Sequence, residues 1–152
     1  MAASRYLEHS PARVLQQLLL DLGLGGDPED DPVPAWPVFV SREPSSPDEC
    51  LTVYDTEERR HGRTMADGAK VVHYGVQVRV RSRTYEAGRA KADAVQATLE
   101  KGVYQTNVSI EGHAYTVGNV SGAALRTLGK DVPGSKRDLF VVNGLVALAE
   151  IA

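Results

Sequence analysis

Between positions 72 and 80 apolar and polar residues alternate. Val72, Tyr74, Val76, Val78 and Val80 share one parity, and His73, Gly75, Gln77, Arg79 and Arg81 share the other. A period of two puts the five apolar side chains on one face of a strand and the polar set on the opposite face. After Arg83 the β-branched residues thin out and alanine takes over, so the period becomes helical. Thr84 is placed to cap this helix, and Glu86 lies in its first turn, where a carboxylate complements the helix dipole. The stretch 71–99 thus predicts a long half-buried strand feeding an Ala-rich helix over about 84–101, ended by Gly102. Small residues such as Ala90 and Ala94 are expected to let the helix lie close against the sheet, with Arg79 and Arg81 facing away from it.

The same criteria divide the rest of the chain. Ser10-Pro11 opens a helix over 10–23, with Val14, Leu15, Leu18, Leu19 and Leu22 on one stripe and Gly23 in the C-cap position. Residues 24–35 form a Pro-, Gly- and acid-rich connection that cannot hold regular structure. Strands are predicted at 36–41 and 50–54, separated by a turn rich in Pro, Ser and Asp. A long polar loop follows over 55–70, a length associated with function or with ordering against a neighbour. Residues 104–110 and 114–120 read as a hairpin joined by Glu111-Gly112-His113, and 121–137 reads as an irregular connection. The nearly continuous apolar run at 138–149 suits a strand covered on both faces. The expected fold is one α+β domain over 1–152: a mixed, mostly antiparallel β-sheet over 36–152, packed by the N-terminal helix and the central Ala-rich helix.

Composition narrows the function. At 152 residues the chain is long enough to bury a core of its own, and its formal net charge of -3 provides no overall basic field for nucleic acid or membranes. A single cysteine, Cys50, excludes an intramolecular disulfide and any multi-thiolate metal site. It reads as a small core residue of a protein kept in a reducing cytosol. No run of eighteen apolar residues occurs, so no transmembrane helix is expected, and the N-x-[ST] matches at Asn107 and Asn119 are taken as chance in a chain without a signal-peptide pattern.

Candidate chemistry is sparse. His9, His61, His73 and His113 show no metal-ligand spacing, and Asp27, Glu29, Asp30 and Asp31 lack the spacing, central Gly and terminal Glu of a calcium loop. Around Gly134-Ser135-Lys136 the order of Ser and Lys is reversed relative to a phosphate loop, and a strand follows instead of a helix. Neither a nucleophile elbow nor a dinucleotide fingerprint is present. No catalytic, cofactor or metal site is therefore expected. Beside the acidic Pro-rich connection, two features remain as assembly surfaces. One is the mixed-charge loop with Glu57, Glu58, Arg59, Arg60, Arg63 and Asp67; the other is the stripe Arg79, Arg81 and Arg83, where guanidinium groups can pair with carboxylates across a subunit interface. An alternative use of that stripe is a nucleic-acid-binding module.

In order along the chain come PVFVSREPSSPDECLTVYDTE, GRTMADG and HYGVQVRVRSRTYEAGRAKADAVQATLEKG, followed by a β-rich C-terminal part. This series, from about 35 to 120, resembles the minor capsid or tail terminator proteins of long-tailed bacteriophages. Glu57-Glu58-Arg59-Arg60 departs from that family's YDT-x-G pattern. The resemblance implies a structural virion protein without cofactors: an α+β subunit in a homo-oligomeric ring, commonly a hexamer, at the head-proximal end of the tail tube. Such a ring ends tube polymerisation and joins tail to head, with the tail tube protein and a head-completion or connector protein as partners. DNA passes through its channel without specific binding, and no membrane is involved. Assembly in the host cytoplasm and residence at the head–tail junction of the virion follow. A head-completion or connector role is the alternative within the same class.

Overall fold

The computed structural model describes residues 7–63, 70–130 and 136–151, excepting the side chains of 57–63, 70, 71 and 151. Its elements are α1 (Pro11–Asp21), β1 (Val38–Val40), β2 (Cys50–Arg63), β3 (Lys70–Ser82), α2 (Tyr85–Lys101), β4 (Thr106–Ile110), β5 (His113–Lys130) and β6 (Asp138–Ile151). The six strands form one sheet in the order β1-β2-β3-β6-β5-β4. Only β1 pairs in parallel, with β2; every other neighbouring pair is antiparallel. This is the α+β class with a mixed, mostly antiparallel sheet that the hydrophobic pattern predicts. The last strand enters between β3 and β5, which explains why β6 is apolar along most of its length: it has a strand on each side and buried residues of both parities, Phe140 and Val142 on one, Leu139 and Val141 on the other.

Both helices lie on the face defined by Val76, Val78 and Val80, all buried, and the two cross-strand neighbours of Val80 are Leu51 and Phe140. α1 begins where Ser10 Oγ accepts from the Arg13 N–H at 3.2 Å, and it ends before Gly23, whose φ of 75° suits a residue without Cβ. Val14, Leu15, Leu18 and Leu19 are buried, whereas Leu22 is 36% exposed and Leu20 packs on the core from the side. Each buried Leu contributes about 2 kcal/mol of transfer free energy. α1 touches β1 at one edge of the sheet and β4 at the other, so the sheet curls around it.

α2 starts at Thr84, whose side chain accepts from the Ala87 N–H, and its cap is Gly102. The residues it turns to the sheet are Gly88, Ala92, Val95 and Leu99; Ala90 and Ala94 are exposed. The expectation that Ala90 and Ala94 permit the close approach is thus corrected. Burial follows the i, i+4, i+7, i+11 row that begins at Gly88.

Two further expectations change. Residues 55–63 are not loop: β2 continues through them, pairing with β3 as far as Arg63↔Lys70. Nor is 121–130 an irregular connection, because β5 runs on to Lys130, paired with Asp138 of β6. In both cases a bulge hides the strand from a period-two reading, with register shifts between Asp55 and Glu58 and between Ser121 and Ala124. The two bulges lie at one level of the sheet, flanking the central pairs Gly75↔Leu145 and Val76↔Gly144. Bulges and glycines there bend the sheet across its strands and leave a shallow hollow of about 340 Å³ lined by Thr56, Ser121, Gly122, Asn143 and Leu145, among others. β1 is also shorter than predicted, since Trp36 adopts a φ of 53° and takes the chain out of the extended region.

Candidate assembly interface

The polar parity of β3 does face away from the helices, but it is not bare. The segment 41–49, between β1 and β2, crosses over it as a strap. Arg81 donates from Nη2 to the Pro47 carbonyl at 2.6 Å, from Nε to the Asp48 carbonyl at 3.1 Å and from Nη1 to Glu43 Oε1 at 3.4 Å. Its side chain is only 4% exposed. Arg79 reaches the other oxygen of Glu43 at 3.3 Å, bonds Gln77 and lies over the Tyr54 ring at 5.4 Å. Arg83 places two donors on Asp48 Oδ2, at 2.9 and 3.1 Å, with 71% of its side chain exposed. A fourth guanidinium, that of Arg137, bonds the Ser45 carbonyl at 2.8 Å and stands 3.7 Å from Asp48.

The structure therefore brings Arg79, Arg81 and Arg83 together, with carboxylates of their own chain. Arg81 is the anchor: a planar fork satisfies two backbone carbonyls and a half-buried carboxylate at once. The exposed Arg83–Asp48 pair adds little stability and leaves Arg83 accessible. Beneath the strap lie Cys50 and Thr52, both buried. Burial pushes the Cys50 thiol up from its usual value, and the nearby Arg81 only partly opposes this, so the thiolate is disfavoured.

Of the other residues singled out from the sequence, Glu57, Glu58, Arg59, Arg60 and Arg63 lie on β2 in the arm it forms with β3, with side chains outside the described residues; Asp67 lies outside them altogether. Glu43, Asp48 and Arg137 escape a sequence reading because they sit in turns or at a strand start, 33 to 92 positions from their partners.

A second polar cluster holds the N-terminal segment. The Glu8 N–H donates to Glu150 Oε1 at 2.9 Å, the His9 N–H donates to Tyr115 Oη at 3.0 Å, and the His9 ring nitrogen Nδ1 is 2.7 Å from the same hydroxyl. The His113 and His9 rings meet edge to face at 5.4 Å. Tyr115 is fully buried, and desolvation raises its pKa; the Glu8 N–H in turn lowers that of Glu150. Among the described residues no group of three His, Cys, Asp or Glu could hold a metal ion, and no helix is long and apolar enough to cross a membrane.

The family model for the bacteriophage tail terminator protein matches residues 18–134, and the chain belongs to that family. It is accordingly a structural component of the phage tail, and so of the virion, and membership implies contact with the tail tube. No curated protein matches the chain.

Proposed function

We propose that this subunit forms a closed ring, a hexamer, at the head-proximal end of the tail tube, where it ends tube polymerisation and offers a surface to a head-completion or connector protein. The observation that carries this reading is the pair of strand edges left open at opposite flanks of the sheet. Among the described residues, β1 covers β2 only over Leu51, Thr52 and Val53, and β4 covers β5 only over the five residues from His113 to Val117. Long uncovered edges are a liability for a free subunit and an asset for one that meets different patches head to tail around a ring. Arg79 and Arg83 are the stripe residues that contribute to such contacts, and the arm carrying Glu57, Glu58, Arg59, Arg60, Arg63 and Asp67 reaches a neighbouring subunit or the tube. A formal net charge of -3 suits a channel through which DNA slides without sticking.

Light scattering and negative-stain imaging of the purified chain, alone and with tail tube, test the reading. Closed rings are expected, and a variant lacking residues 57–67 should remain folded but fail to form them. Normal rings from that variant would remove the arm from the interface. A chain that stays monomeric with and without tube would remove the ring itself.

A further inference from the structure

We propose that the open upper edge of β5, centred on Arg126, receives the acidic connection of residues 27–31 from a neighbouring copy of this chain. The inference rests on the ring reading and names the two surfaces that meet.

Among the described residues no strand lies beside the outer edge of β5 beyond Val117, where the Gln105 N–H and Gln96 Nε2 bond the Gly118 and Ala123 carbonyls. Along that edge Arg126 is exposed and Leu128 is 49% exposed. Arg126 has no ion-pair partner among the described residues, in contrast to Arg79, Arg81, Arg83 and Arg137, which are occupied by Glu43 and Asp48. Of the strand arginines whose side chains are described, Arg79, Arg81 and Arg126, only Arg126 is without a carboxylate partner among the described residues. An open edge also presents backbone N–H groups, so it offers donors of two kinds to a carboxylate.

The acidic partner is already shaped. Asp27 Oδ1 accepts from the Glu29 N–H at 2.9 Å, and the Asp27 carbonyl accepts from the Asp30 N–H at 3.1 Å, closing a turn that leaves Glu29, Asp30 and Asp31 exposed. None of these carboxylates pairs with a cation among the described residues. The bridge Gly26↔Pro37 seats this turn at the β1 flank. From β1 to β5 the sheet crosses β2, β3 and β6, four strand spacings or about 19 Å along the sheet. Within one copy no ion pair joins these residues among the described residues, whereas two copies placed head to tail can form it, which is the heterologous geometry a ring requires.

Charge exchange tests the pairing. Sedimentation velocity at low salt is run on the wild type, on Arg126→Glu, on Asp30→Arg/Asp31→Arg, and on the combination, with circular dichroism to confirm that each is folded. Each half-swap should weaken self-association at least about tenfold, and the combination should recover most of it. High salt should weaken wild-type association in the same direction. Half-swaps that associate like the wild type would overturn this interface and leave the ring standing, as would losses that the combination does not repair. A wild type that never associates, with or without tail tube, would overturn both.

Discussion

Arg81 Nη2 lies 2.6 Å from the carbonyl oxygen of Pro47, the shortest of three bonds by which one buried guanidinium holds the 41–49 strap on the sheet. Removing it leaves two carbonyls and part of a carboxylate without donors in a site that water reaches poorly. Arg81→Ala is expected to lose about 3 kcal/mol in urea unfolding. Arg81→Lys should recover only part of this, since a single ammonium cannot span the fork. Loosening of the strap should also speed reaction of Cys50 with a thiol reagent, and an unchanged labelling rate in a destabilised but folded Arg81→Ala would separate the strap from the thiol.

Gly88 marks the closest approach of α2 to the sheet. A Cβ there would sit 2.5 Å from Phe140 Cε2 and 2.9 Å from the Ser82 Cβ. Alanine is worth up to about 1 kcal/mol more than glycine in a helix, but overpacking costs about 1–3 kcal/mol. Gly88→Ala should therefore lower the melting temperature. A rise in that temperature would mean that α2 shifts freely.

Asp55 supplies α1 with a long-range cap: its Oδ1 accepts from the Ala12 N–H at 2.9 Å, close to the positive end of the helix dipole. Asp55→Ala is expected to lower stability by about 1 kcal/mol, and Asp55→Asn to recover part of that through its amide oxygen. Denaturant unfolding of the three proteins checks the order.

The N-terminal anchor predicts how stability responds to pH at both ends of the range. Tyr115 has its pKa raised by burial, so its contribution is complete below its ordinary value of 10.0 and is lost as pH rises from there through the folded value. The buried Cys50 acts in the same sense, starting from 9.0. Glu150 is lowered, chiefly by the Glu8 N–H, so its contribution is present above 4.5 and is lost as pH falls from there through the depressed value. Tyr115→Phe should remove part of the alkaline loss, and Glu150→Gln part of the acid loss, in thermal melts across pH. Hydrogen exchange at Glu8 and His9 should speed up in both variants.

Much of the fold was legible because it follows from short-range patterns. The parity of Val72 to Val80, the cap at Thr84 and the stripe Val14-Leu15-Leu18-Leu19 each depend on neighbours within one or two turns, and each lies where that pattern puts it. The strands at 55–63 and 121–130 were not legible, since bulges break the alternation and polar side chains there carry no burial signal. The interface was legible only as charge. That Arg79, Arg81 and Arg83 lie on one face follows from parity. That Glu43 and Asp48 occupy them, while Arg126 on the β5 edge has no ion-pair partner among the described residues, does not.

By itself, then, the amino-acid sequence determined the helices, the face of β3 that enters the core, the α+β class and the phrases by which the family is recognised. These rest on backbone preferences and hydrophobic periods, which act over a few residues. The tertiary structure decided the strand order, the crease at Gly75 and Gly144, the strap over Arg81 and the open edges of β2 and β5. Those depend on which distant segments pair, and no period along the chain encodes a partner 33 or 142 positions away.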